Sequence, residues 1–133
     1  MTLCFDTNLL ADYLDGTDAA AEFLAAHEAD PWAVPSLALF EAYMGALVGR
    51  PRGSIGDVHD ATRGLDVLPV TDEVALRAAK LQAELMDEGV QLSHVDAVLA
   101  GTAATHGAAF ATNDGAFFED AVRDRIDVVE YRR

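Results

Sequence analysis

The chain has 133 residues, of which 51% are hydrophobic and 8% aromatic. That is the size of one domain, 1–133, and too apolar for a disordered chain. The longest nearly apolar run, 97–104, is far shorter than the roughly 18 residues of a membrane span. The charged Asp6 stands where a signal peptide would have its apolar stretch. The lone cysteine, Cys4, is typical of proteins from a reducing compartment. We therefore expect one cytoplasmic domain with no membrane association.

Charge is the unusual feature of the composition. Twenty-three acidic residues against nine Lys and Arg give a formal net charge of −14 at pH 7. We interpret this excess as adaptation to a very salty cytoplasm, because at 1 M salt the Debye length falls to roughly 3 Å. An acidic solvating protein is the alternative, which the high apolar fraction disfavours. On our interpretation the charge reflects the solvent rather than the partner, although phosphates would still need local positive charge.

The first half of the chain alternates short strands with helical patterns. An apolar strand at 3–5 runs into the helix-start signal Asp6-Thr7-Asn8, and apolar residues then recur at helical spacing until Gly16. A second helix is predicted from 17 to about 30, and a strand at 32–35. Ser36 is the predicted N-cap of a helix that reaches residue 49.

The second half continues the same alternation. A short polar helix is predicted at 54–64, and a weak strand at 67–70, where Pro69 indicates a sheet edge. Helices then begin at Thr71 and Ser93 and end near 88 and 106. A buried strand at 108–112, a short helix after 114 and a last strand at 128–129 complete the pattern. Alternating strands and helices predict an α/β fold with a mostly parallel, helix-covered sheet.

Four carboxylates stand where a folded chain rarely leaves them unpaired. Asp6 and Asp114 follow apolar strands, at the ends where open α/β sheets bind ligands. Glu41 flanks a helical stripe of large apolar residues, and its other neighbours are small enough to leave space around the carboxylate. Asp96 is followed at helical spacing by apolar residues. The stripe and these apolar residues are Leu37, Phe40, Met44, Leu47 and Val48 around Glu41, and Leu99, Ala100 and Ala103 after Asp96.

A divalent cation is the simplest partner for these four groups. Ionised carboxylates in apolar surroundings cost several kcal/mol unless they are paired or bind metal, and no basic residue lies near any of them in sequence. Oxygen ligands without a His or Cys cluster favour Mg²⁺ or Mn²⁺ over zinc. Each aspartate also has a structural alternative, because Asp6 and Asp114 suit helix caps and Asp96 has capping-box spacing with Ser93.

Other residues support these acids or offer contacts. The polar residues that flank them, which suit metal waters or phosphate and equally suit turns, are Thr7, Asn8, Ser36, Thr112 and Asn113. The first candidates for phosphate contact are Arg50 and Arg52, followed by Arg123, Arg125, Arg132 and Arg133. An apolar face for a partner helix, which is equally a core face, is formed by Leu10, Tyr13 and Leu14.

These residues, in this order and spacing, resemble the PIN-domain family, and most closely the VapC-type toxins of toxin–antitoxin pairs. The resemblance rests on Phe5-Asp6-Thr7-Asn8, Ser36-x4-Glu41, Ser93-x2-Asp96-Ala97 and Thr112-Asn113-Asp114-x2-Phe117, and covers essentially the whole chain. It implies an α/β/α sandwich with a central parallel sheet of four or five strands. It also implies an Mg²⁺- or Mn²⁺-dependent endoribonuclease with one or two ions at the acidic quartet Asp6, Glu41, Asp96 and Asp114.

The resemblance further implies partners. Thr112 matches a supporting hydroxyl position, Asn8 and Asn113 match further ones, and family members form homodimers silenced by a VapB-like antitoxin laid over the site. The acidic composition departs from this pattern, because few bases remain to hold RNA. Alternatives are a nuclease acting on DNA or in RNA processing, an inactive RNA- or protein-binding module, and an aspartyl-phosphate phosphatase or receiver. The phosphatase alternative expects a second aspartate two residues after Asp6, and this chain has Asn8 at that position.

Overall fold

The computed structural model describes residues 1–49 and 53–133. At the centre of the described chain lies a parallel five-stranded sheet in the order β3-β2-β1-β4-β5. The strands are β1 (Leu3–Phe5), β2 (Trp32–Pro35), β3 (Asp66–Leu68), β4 (Ala109–Thr112) and β5 (Val128–Glu130). The sheet and its helices form the expected α/β/α sandwich, and the weak strand is an edge strand as Pro69 indicates.

Helices connect the strands. They are α1 (Thr7–Asp15), α2 (Asp18–Ala25), α3 (Ser36–Val48), α4 (Ile55–Ala61), α5 (Asp72–Asp87), α6 (His94–Thr105), a 3₁₀ helix (Gly115–Phe118) and α7 (Asp120–Arg123). Helix α1 packs against α2 and α3, α3 packs against α4, and α5 packs along α6. None of the helices within the described ranges combines the length and apolarity that crossing a bilayer demands.

The strand order creates one reversal in the sheet. From β1 the chain moves outward through β2 to β3, then returns across β1 to form β4 and β5. Because parallel crossovers are right-handed, the helices before and after the return cover opposite faces. The carboxyl ends of β1 and β4 flank the reversal, which is where ligands bind in open α/β sheets. Residues that directly follow these two strands are therefore placed at the natural site.

The core lies on both sides of the central strands. Every residue of β1 and β4 is buried, as expected for parallel strands covered by helices on both faces. The largest fully buried side chains are Phe5, Phe110, Phe117 and Tyr131. Cys4 is a buried free thiol of this core, as its sequence context suggests.

Two predicted helix ends are wrong. Helix α2 ends at Ala25 rather than near 30, because the chain then turns through 3₁₀-type hydrogen bonds. The carbonyl of His27 accepts a hydrogen bond from the Trp32 indole N–H (3.0 Å). Ser36 is not an N-cap. Its backbone is already helical and Pro35 takes the extended cap position without a side-chain bond.

Four of the five large apolar residues predicted as a stripe on α3 are exposed, and the fifth, Leu37, packs against the core. Phe40, Met44, Leu47 and Val48 are exposed, with Phe40 at 59% and Val48 at 63%. The buried positions of α3 are instead the small Ala38 and Ala46 together with Leu39. Small side chains let α3 approach α1 and α4 closely, and this leaves the large ones on the outer face. We call Phe40, Met44, Leu47 and Val48 the α3 stripe.

Candidate functional site

Asp6 lies at the carboxyl end of β1 and begins α1. Its Oδ1 accepts the backbone N–H of Leu9 (2.7 Å), which is the N-cap bond, and its Oδ2 accepts the Thr112 hydroxyl (2.5 Å). The side chain is buried. Burial raises the pKa of Asp6, the charges of Asp114 and Asp96 raise it further, and the two hydrogen bonds oppose that rise.

Asp114 reaches the same place from β4. Thr112, the last residue of β4, is fully buried and connects the two acids, since its Oγ1 donates to Asp6 and accepts the backbone N–H of Asp114 (3.1 Å). Asp114 Oδ1 caps the 3₁₀ helix through the N–H of Ala116 (3.0 Å). Above this pair, Asn8 Nδ2 donates to Asn113 Oδ1 (2.9 Å) and ties the two loops together a second time.

Glu41 comes from the second turn of α3. Its Oε1 accepts the Thr7 hydroxyl at 2.8 Å, and Thr7 directly follows Asp6. The contact between α1 and α3 therefore places Glu41 beside the loop that carries Asp6. Ser36, in contrast, makes no side-chain hydrogen bond to these acids among the described contacts.

Asp96 comes from the first turn of α6, the second helix of the return crossover from β3 to β4. Ser93 caps α6 by accepting the backbone N–H of Asp96 (3.1 Å), which leaves the carboxylate free of that bond. The following Leu99, Ala100 and Ala103 are buried, as the spacing indicates. Burial raises the pKa of Asp96, and the charges of Asp114 and Glu41 add to that effect while Ser93 opposes it.

Asp96 thus lies within electrostatic reach of the other three carboxylates, and Asp6 within reach of Asp114, although the four come from separate elements. None of the ion pairs in the described part of the chain includes any of them. Four carboxylates that form no ion pair within residues 1–49 and 53–133 are a set of hard oxygen donors that suits Mg²⁺ or Mn²⁺. In ranges 1–49 and 53–133, however, no three acidic, His or Cys side chains are already arranged to hold a metal ion together. Three of the carboxylates, Asp6, Glu41 and Asp114, instead accept hydrogen bonds from hydroxyls or from the backbone N–H groups that they cap.

A groove runs from Glu41 along α1, α3 and α4, with a volume of about 470 Å³. Thr7 and Glu41 form its end at the acids, and Asp15 and Asp57 add two further carboxylates. Its remaining walls are mainly small or apolar: Ala11, Leu14, Ala42, Gly45, Ala46, Gly53, Ser54, Val58 and Ala61. The small residues around Glu41 thus leave space beside it, as the sequence suggests for Ala42 and Gly45.

The structure sorts the remaining sequence predictions. Leu10 is fully buried, so it belongs to the core and not to a docking face, whereas Leu14 lines the groove and Tyr13 is half-buried with its hydroxyl on the carbonyl of Ala61. Arg50 and Arg52 lie outside the described residues.

Sequence reasoning missed the role of Thr7 toward Glu41. It also missed the hydrogen bonds that the buried Asp12 accepts from the buried Tyr131 and the exposed Arg133. One signal was available for these hydrogen bonds. Asp12 follows Leu9 by three residues, so it lies on the buried face of α1.

Comparison with known proteins agrees with this architecture. The PIN domain family matches residues 3–122 of the chain. The chain belongs to the PIN domain family. No curated protein sequence matches it.

Solved structures share the fold over the whole chain. A crystal structure of VapBC2 from Rickettsia felis bound to a promoter DNA fragment matches with a TM-score of 0.81 and 17% identity, covering 99% of this chain and 100% of that one. DNA-bound VapBC from Salmonella typhimurium matches with a TM-score of 0.78 and 21% identity over 99% of each chain. A toxin–antitoxin complex from Klebsiella pneumoniae matches with a TM-score of 0.76 and 23% identity over 98% of each chain.

Proposed function

We propose that this PIN domain is a metal-dependent endoribonuclease and the toxin of a VapBC-type toxin–antitoxin pair. The observation that supports a nuclease site most directly is the gathering of Asp6, Glu41, Asp96 and Asp114 at the sheet reversal, where none of the ion pairs of the described residues includes them. A phosphodiester is itself anionic, so such a site needs a cation before it admits substrate. The family match and the VapBC likeness favour the toxin assignment.

We assign Mg²⁺ or Mn²⁺, as one or two ions, to Asp6, Asp96 and Asp114, with Glu41 completing the set. When bound, such an ion polarises a phosphate oxygen, activates water and neutralises charge on the leaving oxygen. The protein fixes the donors. Thr112 and the N–H of Leu9 hold Asp6 in one orientation, and backbone caps fix the loop of Asp114.

Glu41 acts on the attacking water in this proposal. Thr7 holds its Oε1, which leaves Oε2 to accept a water proton as the water oxygen bonds to phosphorus and the bond to the leaving oxygen breaks. Asn8 and Asn113 keep the Asp6 and Asp114 loops together while this occurs. The half-buried position of Glu41 at the groove end leaves that oxygen accessible to solvent and substrate.

The test is cleavage of matched single-stranded RNA and DNA in high KCl with Mn²⁺, with chelator, and by Asp96→Asn. We expect Mn²⁺-dependent RNA cleavage that chelator abolishes and Asp96→Asn lowers at least about hundredfold. Calorimetry should show Mn²⁺ binding by the wild type that weakens in Asp96→Asn. The matched control is Asp87→Asn, an exposed acid of α5 that should change neither result. Equal cleavage with Mn²⁺ and with chelator would refute the mechanism, and cleavage of DNA alone would refute the substrate.

We further propose that a VapB-like antitoxin occupies the groove beside Glu41. Apolar walls bordered by Asp15, Glu41 and Asp57 fit an amphipathic helix with basic residues along its flanks. Gly45 lines this groove and has open space where a side chain would be, so Gly45→Leu should fold and fill it. We expect a small neighbouring gene to encode the antitoxin. Gly45→Leu should lose capture of its product, while the control Gly64→Leu, also in open space but outside the groove, retains it.

A homodimer in the cytoplasm completes the proposal. The α3 stripe exposes four large apolar side chains on one helix face, which suits burial against a second copy of this chain. Light scattering should show a dimer for the wild type and a monomer for the double variant Phe40→Gln, Leu47→Gln. Met86→Gln, which replaces an equally exposed residue of α5, should remain dimeric. A stripe variant that stays dimeric would place the dimer interface elsewhere.

A further inference from the structure

The basic side chains of the described chain are unevenly distributed over the two edges of the sheet. Three basic residues line a cavity of about 190 Å³. Gly107, shortly before β4, and Asp127, directly before β5, line the same cavity, so it lies at the edge of the sheet where the strands begin, which we call the amino edge. Arg63 lies shortly before β3 at the same edge, and Lys80 lies one turn beyond on α5. The cavity residues are Arg77, Arg123 and Arg125.

Arg132 and Arg133 are placed at the opposite, carboxyl edge, because they follow the parallel strand β5. The backbone N–H of Tyr131 donates to the carbonyl of Thr112 at 2.8 Å. Thr112 is the residue that holds Asp6 and Asp114, so the segment 131–133 lies directly beside the acidic quartet. Among the described Lys and Arg residues, this pair is the one that the fold brings to the proposed active edge.

The segment is anchored to α1 through Asp12. The buried Asp12 accepts the Tyr131 hydroxyl (2.7 Å) and two Arg133 N–H groups, from Nε (2.9 Å) and Nη2 (3.4 Å). Tyr131 is itself buried and packs on Phe23. Because Asp12 and Tyr131 are both buried and hydrogen-bonded to each other, they hold the guanidinium of Arg133 in place. This preorganisation lowers the conformational entropy that Arg133 loses when it binds a ligand.

Arg133 retains capacity for an anion. A guanidinium carries five N–H donors, of which Asp12 takes two, and the Arg133 side chain is 55% exposed. Contact with Asp12 raises the pKa of Arg133, and the charge of Asp6 adds to this, so the guanidinium lies within electrostatic reach of Asp6. Arg132 is 82% exposed and pairs with Glu130, a surface contact that an RNA phosphate can replace at little cost.

We propose that Arg133, with Arg132 beside it, binds the RNA backbone at a phosphate flanking the one that is cut. Asp12 lies six residues beyond Asp6 on α1, about 9 Å at the helical rise, which suits a neighbouring phosphate rather than the scissile one. The inference rests on the proposed function, whose substrate it specifies further. It also identifies how a chain of net charge −14 holds RNA.

The experiment measures the salt dependence of RNA binding. A fluorescent single-stranded RNA is titrated with Mg²⁺ present in a Glu41→Gln background, which keeps the three aspartates assigned to the ion and suppresses turnover, over a series of KCl concentrations. Each lost phosphate contact should reduce the slope of log K against log [KCl] by about 0.7. We expect this reduction for Arg133→Gln and for Arg132→Gln. The matched control is Arg63→Gln, which also removes an exposed arginine paired with a nearby acid.

Further variants separate charge from folding. Arg133→Lys keeps the charge and should retain the slope, because the slope depends on the number of positive charges that meet phosphates. In the active chain, Arg132→Gln and Arg133→Gln should raise KM several-fold and leave kcat within about twofold. If Arg133→Gln does not fold, Arg132→Gln still decides the matter, because its contact with Glu130 is exposed.

The outcomes distinguish this inference from the proposed function. RNA binding with reduced slopes but no cleavage by the wild type would refute the nuclease and leave the contact standing. RNA cleavage with slopes equal to that of Arg63→Gln would overturn the contact alone. Absence of both RNA binding and cleavage would overturn both proposals.

Discussion

At the scale of single residues, the structure gives Thr7 a task that its type alone does not reveal. Its hydroxyl is the one described partner of the Glu41 carboxylate, across 34 positions of sequence. Thr7→Val preserves shape but removes the donor, so we expect cleavage to fall about tenfold, the equivalent of one hydrogen bond to a charged group. Thr7→Ser keeps the donor and should retain most of the activity. Equal rates for the two variants, measured on the same RNA, would show that the hydroxyl does not position Glu41.

When no divalent ion is present, the ionised Asp96 side chain should lower the stability of the folded state. Burial and the charges of Asp114 and Glu41 raise its pKa, so the folded state disfavours its ionised form. Because the pKa of Asp96 is higher in the folded state, protonated Asp96 favours folding. This contribution to stability is fully present below the unfolded pKa of about 3.9 and is lost as the pH rises through the folded pKa. With chelator at neutral pH, Asp96→Asn should therefore raise Tm by about 2–4 °C.

Solvent screening keeps that rise small, because Asp96 is only half-buried. The Tm difference from wild type should shrink as the pH approaches 4, and Mn²⁺ should reverse its sign by stabilising the wild type alone. Asp87→Asn serves as control, since it removes one charge from the same net excess. An equal increase in Tm in the control would assign the effect to net charge rather than to the site.

At the scale of elements, the contact between α5 and α6 depends on one glycine. A methyl group at Gly101 would meet Ala78, with the Cβ of Ala78 at 2.9 Å and its backbone at 3.1 Å. The two helices could accommodate it only by separating, so Gly101→Ala should lower the free energy of unfolding by about 1–3 kcal/mol. Gly45→Ala is the matched control in α3. It has open space there and should raise stability by about 0.5–1 kcal/mol. Denaturant titration of both variants tests the contrast.

Features fixed by local chemistry could be predicted from sequence at this scale. Thr17, Thr71 and Ser93 cap helices as expected, because an N-cap depends on one side chain and the backbone three residues on. The position of Asp6 after β1 and of Asp114 after β4 was equally readable. In parallel sheets, strand ends share one edge whatever the tertiary details.

Features fixed by packing could not be predicted. In α3, hydrophobicity alone suggests that the large side chains are buried, yet Phe40 and Val48 are exposed while Ala38 and Ala46 are buried. Which face a helix buries depends on how closely its neighbours approach, and that information is not local. The contact of Thr7 with Glu41 and the anchoring of Tyr131 on Asp12 are missed for the same reason, since they join residues 34 and 119 positions apart.

At the scale of the whole molecule, charge and fold act together. The crossovers from β1 to β2 and from β2 to β3 cover one face of the sheet, and those from β3 to β4 and from β4 to β5 cover the other. The reversal between β1 and β4 therefore collects carboxylates from both sides. Most of the described bases lie away from that edge, which leaves Arg132 and Arg133 beside it. The acidic edge is therefore a property of the topology, and the net charge of −14 adds to a repulsion that the site already has.

That repulsion predicts how the protein responds to salt. At −14, added KCl should screen like-charge repulsion in the compact state more than in the expanded unfolded chain, so Tm should rise steadily up to molar KCl. Because concentrated salts also strengthen burial by exclusion from the surface, the informative control is a variant of lower charge. Glu28→Gln, Asp66→Asn and Asp87→Asn together remove three exposed charges distant in sequence from the quartet. This triple variant should be more stable than wild type at low salt, and the difference should vanish in molar KCl. Parallel increases for both proteins would show that salt acts by exclusion, and the acidic excess would then have no part in salt adaptation through screening.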